Sequence, residues 1–150
     1  FNHKQIDRRL SKPDLKYKPA NNQIESHPYL PQEELINFCH SKGISVTAYC
    51  PLGIRPDREK LMSKPEDVSL LDDPQIKEIA LKYNKTPAQV TVDIVFSPMT
   101  LKQLFGIFIQ VFDFELVKEE METILSFKKR YRICALSECK RYKDYPFSED

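Results

Sequence analysis

One strand–helix–strand unit between residues 20 and 53 constrains this chain more than any other feature of it. Ala20-Asn21-Asn22-Gln23-Ile24-Glu25-Ser26 reads as a short strand that stops at His27-Pro28, since proline removes a ladder donor. Pro31 opens a helix in which Leu35, Phe38 and Cys39 recur at helical spacing, and Lys42 followed by Gly43 ends it. Ile44-Ser45-Val46-Thr47-Ala48-Tyr49 is a second, β-branched strand running into Cys50-Pro51-Leu52-Gly53. Two strands joined by a helix pair in parallel, and such strands are expected to be covered on both faces. The class is therefore α/β.

The flanking cues are mostly helical. Asn2 caps a helix through Leu10, with Ile6 and Leu10 on one face. Lys12 to Pro19 is a connection, and Arg55 to Val68 is a long polar loop of the kind that covers sites. Asp73 and Pro74 open a helix whose stripe is Ile76, Ile79, Ala80 and Tyr83. Thr86-Pro87-Ala88-Gln89 is a capping box. The alternation of Val90, Val92, Ile94 and Phe96 then favours a strand over the capped helix, so the local cues conflict. Leu101, Leu104, Phe105 and Phe108 return to helical spacing. Lys118 to Phe127 is a helix with Met121, Ile124 and Leu125 inward, and an irregular tail follows.

At 150 residues the chain fits one domain. Twenty-three basic residues against 22 acidic ones leave a charge of +1, which gives no reason to propose nucleic acid or a membrane surface as partner. Lys128, Lys129, Arg130 and Arg132 are read as a solvated face. The apolar run Leu104 to Phe112 is broken by Gln110 and is too short to span a bilayer. With polar first residues and no secretory signal, the reading is cytoplasmic, and Phe1 in place of methionine leads us to expect more chain upstream. Cys39, Cys50, Cys134 and Cys139 form no Cys-x-x-Cys pair and are read as reduced thiols. His27 has no carboxylate at metal-ligand spacing and is read as structural, His3 and His40 as surface residues, and no metal site is proposed. Taken alone, Gln23 is a buried amide and Tyr49 a core aromatic with a bonded hydroxyl.

The stretch Asn22-Gln23-Ile24-Glu25-Ser26-His27-Pro28-Tyr29-Leu30 closely resembles the Asn-Gln-Ile-Glu-Cys-His-Pro-Tyr segment of aldo-keto reductases. Gly43 to Gly53 follows at the expected distance, similar to a family segment ending Ala-Tyr-Ser-Pro-Leu-Gly. Further agreement comes at Lys64-Pro65-Glu66-Asp67, Leu70 to Pro74, Thr86 to Val90, Val111 to Phe114, Cys134-Ala135-Leu136 and Lys143 to Phe147. The group most resembled is the aldose-reductase and small-intestine aldose-reductase-like one. The resemblance implies a (β/α)8 TIM barrel, of which this is the C-terminal half; whole barrels need about 250 residues. It implies an NADPH-dependent oxidoreductase domain over residues 1–150, reducing small-molecule aldehydes and ketones to alcohols. It implies that Gln23 hydrogen-bonds the nicotinamide carboxamide and that Tyr49 stacks on the ring, both at strand ends. Cys50, Leu52 and Gly53 would cover the pyrophosphate, Asp57 would help close the loop over the cofactor, and Cys134 and Leu136 would line the substrate pocket.

The resemblance also implies what is not here. The family's catalytic tyrosine, lysine, aspartate and histidine belong to the N-terminal half, so no catalytic residue is assigned to this chain. The eighth-strand region is degenerate: residues 93–108 lack the Ile-Pro-Lys-Ser segment that binds the 2′-phosphate, run several residues short, and offer only Lys102 as a cation. A shifted reading frame or altered splicing would explain that segment. Ser26 and Cys50 exchange the family's cysteine and serine, and Ile54-Arg55 displaces a serine. The alternative to a reductase fragment is a non-enzymatic, truncated or pseudogene-like product. Family members are usually monomeric, whereas a half barrel is expected to associate through its open edges.

Overall fold

The computed structural model describes residues 1–53, 69–96, 113–127 and 129–147. The loop expected at 55–68, Asp57 within it, Lys102 and the helical repeat from Leu101 to Phe108 lie outside the described residues.

The strand–helix–strand unit forms as expected. Strand β1 (Asn21–Glu25) and strand β2 (Ser45–Tyr49) pair in parallel, from Asn21 opposite Ser45 to Glu25 opposite Tyr49. Helix α1 (His3–Leu10) precedes them, closed by a capping box in which Asn2 and Gln5 bond each other's backbone. Helix α2 (Glu33–Ser41) makes the crossover. It begins two residues after Pro31, because Gln32 adopts a left-handed φ of 56° and its side-chain amide donates to the Glu25 carbonyl at 2.8 Å. Ile24, Val46 and Ile44 pack against Ile36 and Cys39 of α2, Ile6 of α1 and Val95. Each fully buried isoleucine contributes roughly 1.5–3 kcal/mol.

Among the described residues one face of this sheet is covered along its length, whereas the other, against the expectation, is open over its first residues. Asn22, Ile24 and Val46 are buried toward the helices, while Asn21, Gln23 and Ser45 are exposed. Their polar side chains suit an open face, where water or another surface meets them. A two-stranded parallel sheet with its helices on one side is compatible with part of a (β/α)8 barrel.

Helix α3 (Pro74–Lys82) starts where Asp73 accepts from the Gln75 N–H at 2.9 Å with Pro74 behind it, and buries Ile76, Ile79 and Ala80. The next segment overturns the strand suggested by its alternation: residues Pro87–Phe96 form helix α4. The Thr86–Gln89 box is made in both directions, at 2.9 Å and 3.2 Å. Alternation misleads because α4 is buried on more than one side. Val90 and Ile94 enter a core with Tyr29, Leu70, Ile76, Leu116 and Ile124, whereas Val95 enters the core beneath the sheet. A helix wedged between two cores loses its one-sided stripe.

Helix α5 (Lys118–Leu125) buries Ile124, with Met121 and Leu125 half-buried. Its Glu120 accepts from Lys82 Nζ and from the Tyr83 hydroxyl, both at 2.6 Å, tying α5 to the end of α3. No helix of the described residues is long and apolar enough to cross a membrane.

Candidate functional site

Side chains alternate along a strand, so in-register pairing puts residues 21, 23 and 25 on the same face as 45, 47 and 49. At the start of this face Asn21 donates to the hydroxyls of Ser45 and Thr47 at 2.9 and 3.0 Å. Gln23 follows, exposed and opposite Thr47. It stands at the centre of β1 rather than at its end, and it is not the buried amide that the residue alone suggested.

Toward the C-terminal ends of the strands the face closes. Glu25 is only 1% exposed, because the segment around Arg132 to Cys134 crosses over it. Its carboxylate accepts from the backbone N–H of Ile133 at 2.6 Å and of Cys134 at 2.9 Å. His27 Nε2 lies 3.0 Å from the same carboxylate, and Arg132 Nη1 4.0 Å away. Burial works to raise the Glu25 carboxyl, but the hydrogen bonds from His27, Ile133 and Cys134 outweigh it and hold it below its usual range. Glu25 is thus a buried anion satisfied on all sides, which is how interiors tolerate charge.

Opposite Glu25, Tyr49 ends β2, half-buried. Burial first, then the neighbouring Glu25 carboxylate and the Cys134 thiol, push its phenol up to about 12. The chain then turns: Cys50 takes a φ of 55°, the Gly53 N–H returns to the Cys50 carbonyl at 3.0 Å, and Gly53 sits at φ 66°. A Cβ on Gly53 would meet Leu70 at 3.0 Å and Ile133 at 3.3 Å, so the turn, the Ile133 segment and Leu70 are packed together here. Leu136 adopts a left-handed φ of 47° and is 49% exposed, and Tyr145 donates to the adjacent Ala135 carbonyl at 2.5 Å.

The structure therefore brings Tyr49, the turn Cys50 to Gly53 and Cys134 to one end of the sheet, and sets Gln23 on the same face two residues back from Glu25, about 7 Å along the strand. Leu136 continues from that cluster; Asp57 is outside the described residues. Glu25 is the residue that reading the sequence missed, although it lies within the segment that carries the family resemblance. The one signal for it is a carboxylate at the end of the strand, two residues before a histidine. Its main partners are backbone N–H groups more than 100 residues away, which no local pattern encodes.

A second tyrosine keeps ionic company but has different chemistry. Tyr29 is 1% exposed and donates to Asp73 at 2.6 Å, and Lys129 Nζ sits 3.8 Å over its ring and 3.4 Å from Asp73. Burial and the Asp73 carboxylate raise this phenol far above its usual value. A hydroxyl held so firmly to a helix cap is a poor proton donor to a ligand. Among the described residues, no three His, Cys, Asp or Glu side chains are grouped to hold a metal.

Residues 1–129 match the model of the Aldo/keto reductase family. The chain is 42% identical over 161 aligned residues to aldo-keto reductase family 1 member C15 of Rattus norvegicus, 39% identical to Rho crystallin of Aquarana catesbeiana, and 39% identical to prostaglandin F synthase 1 of Bos taurus. In each case the whole of this chain is covered but only 48% of the relative. The chain spans about half the length of these relatives and matches their C-terminal half.

Proposed function

This chain belongs to the aldo/keto reductase family, and from that membership we propose that it is part of an NADPH-dependent carbonyl reductase. In this reading residues 1–150 supply one wall of the nicotinamide pocket and an edge of the substrate pocket of a (β/α)8 barrel. The observation that carries it is that Gln23 and Tyr49 share one face of the sheet, with Tyr49 at the strand end, where barrel enzymes keep their chemistry.

When bound, NADPH supplies the hydride that converts an aldehyde or ketone to an alcohol. This chain's residues hold and orient. Gln23 is exposed and carries both a donor and an acceptor, the pair a carboxamide needs. Tyr49 offers a flat ring, and its phenol stays protonated at neutral pH, so its part is stacking rather than proton transfer. The turn from Cys50 through Leu52 to Gly53, left-handed at Cys50 and Gly53, is the backbone that would cover an anion such as pyrophosphate. Asp57 helps to close the cover, and Cys134 and Leu136 border the carbonyl substrate. Proton donation falls to a tyrosine outside this chain, so the 150 residues alone are proposed to be inactive.

The adenosine end fits less well. Residues 93–108 are proposed as a divergent segment that has lost the 2′-phosphate site, since Lys102 is their one cation. The partner in this proposal is a small-molecule carbonyl, the compartment the cytoplasm, and the open sheet edge a place of association.

A second reading, a non-enzymatic product, draws on the polar face left open among the described residues. Titrating NADPH while following nicotinamide fluorescence, with the native chain and Tyr49→Ala, separates the two. Binding that falls at least tenfold in the variant supports the reductase fragment. No binding, or binding indifferent to Tyr49, supports the second reading.

A further inference from the structure

Between Cys134 and Phe147 the chain has a single buried residue, Tyr145. Its hydroxyl donates to the Ala135 carbonyl at 2.5 Å, and its ring meets Phe147 edge-on at 5.4 Å. Ala135 lies between Cys134 and Leu136, the two residues proposed to border the substrate. Glu25 holds this stretch through the Cys134 N–H, and Tyr145 holds it through the next carbonyl.

Helix α1 fixes the residues on either side of Tyr145. Its capping box uses only the side-chain oxygens of two amides: Asn2 Oδ1 accepts from the Gln5 N–H, and Gln5 Oε1 from the Asn2 N–H. The NH2 groups of the same side chains are left to donate elsewhere. Asn2 Nδ2 donates to the Pro146 carbonyl at 3.0 Å, across 144 residues of chain. Gln5 Nε2 donates to the Asp144 carbonyl at 2.8 Å, across 139. A carboxylate at each position would cap the helix as well, so it is the tail that requires amides. Arg8 adds an exposed ion pair to the Asp144 side chain at 2.6 Å, of the kind that contributes little.

We propose that Asn2, Gln5 and Tyr145 form a latch that positions the Cys134–Leu136 border of the carbonyl pocket. Helix α1 fixes residues 144 and 146, Tyr145 between them fixes the Ala135 carbonyl, and the shape of the border follows. All three are positioning residues for substrate selection and touch no substrate themselves. The inference rests on the reading of that border as a substrate wall, whereas the latch contacts do not depend on it.

The test is two-dimensional NMR of the isotope-labelled 150-residue chain in two variants. Asn2→Asp with Gln5→Glu keeps both cap acceptors and removes both donors to the tail. Tyr145→Phe removes only the hydroxyl and keeps the ring against Phe147. The helical carbon shifts of α1 should persist in both. Amide exchange at Cys134 and Cys139 should quicken roughly fivefold, the scale of one hydrogen bond, with exchange in α3 unchanged. Acetophenone, the ketone probe, should shift Cys134 and Leu136 in the native chain and bind each variant roughly threefold to tenfold more weakly. A purely structural contact leaves that affinity unmoved. Unchanged exchange in variants that keep α1 overturns the latch, and so does quickened exchange with undiminished ketone binding. Quickened exchange with no ketone shifts at Cys134 or Leu136 in the native chain refutes the substrate wall instead, and with it the latch's part in selection.

Discussion

The Glu25 carboxylate accepts a hydrogen bond from the Ile133 backbone N–H at 2.6 Å across 108 residues of chain. With the matching bond to Cys134, this contact decides where the Ile133–Cys134 segment lies relative to Tyr49. A strand residue thus positions a distant loop through its carboxylate alone.

Replacing Glu25 with Gln keeps the shape but removes the charge and one strong acceptor. We expect about 3 kcal/mol of lost stability, since breaking a buried charged network strands its partners. Denaturant unfolding measures the loss. Amide hydrogen exchange at Ile133 and Cys134 should quicken more than exchange in α3.

Acid should act through the same group. The folded-state pKa of Glu25 lies below its ordinary 4.5 and that of Asp73 below 3.8. Both therefore add stability that is present above those ordinary values and is lost as pH falls through the depressed ones. Unfolding free energy should be level near neutrality and decline below about pH 4.5. Glu25→Gln should flatten the upper part of that decline.

Asp73 serves two structures at once, as the cap of α3 and the acceptor of the Tyr29 hydroxyl. Asp73→Ala should cost about 2–3 kcal/mol, from a lost cap and an orphaned phenol. Tyr29→Phe should cost about 1 kcal/mol. A double-mutant cycle by denaturant unfolding should show the two effects to be less than additive, because they share one bond.

The cues that succeeded were those whose partners are near in sequence. Asn2 with Gln5, Asp73 with Gln75, and the apolar spacing of α2 are complete within a few residues, so α1, α2 and α3 could be read directly. The reading of Val90 to Phe96 as a strand failed because burial of helix α4 on two sides imitates a strand's alternation. Glu25 was overlooked as a site residue for the opposite reason: its function depends on backbone groups at the far end of the chain. Gln23 was misjudged as buried because its exposure depends on which surface faces the sheet, a matter no local pattern records.

The helical state of α4 is itself open to test. Thr86→Ala should weaken the helix by about 1 kcal/mol through loss of its cap. Carbon chemical shifts of Val90 to Ile94 should be helical in the native chain and move toward random-coil values in the variant. Strand-like shifts in the native chain would refute the assignment.

The most direct test of the nicotinamide wall is a titration of the labelled chain with NADPH and with NADH, read by two-dimensional NMR. We predict that both cofactors perturb Gln23, Tyr49, Cys50, Leu52 and Gly53 together, with affinities within a few-fold of each other, as the proposed loss of the 2′-phosphate site requires. Cofactor-induced shifts that leave Gln23 and Tyr49 unmoved, or no shifts with either cofactor, would contradict the account.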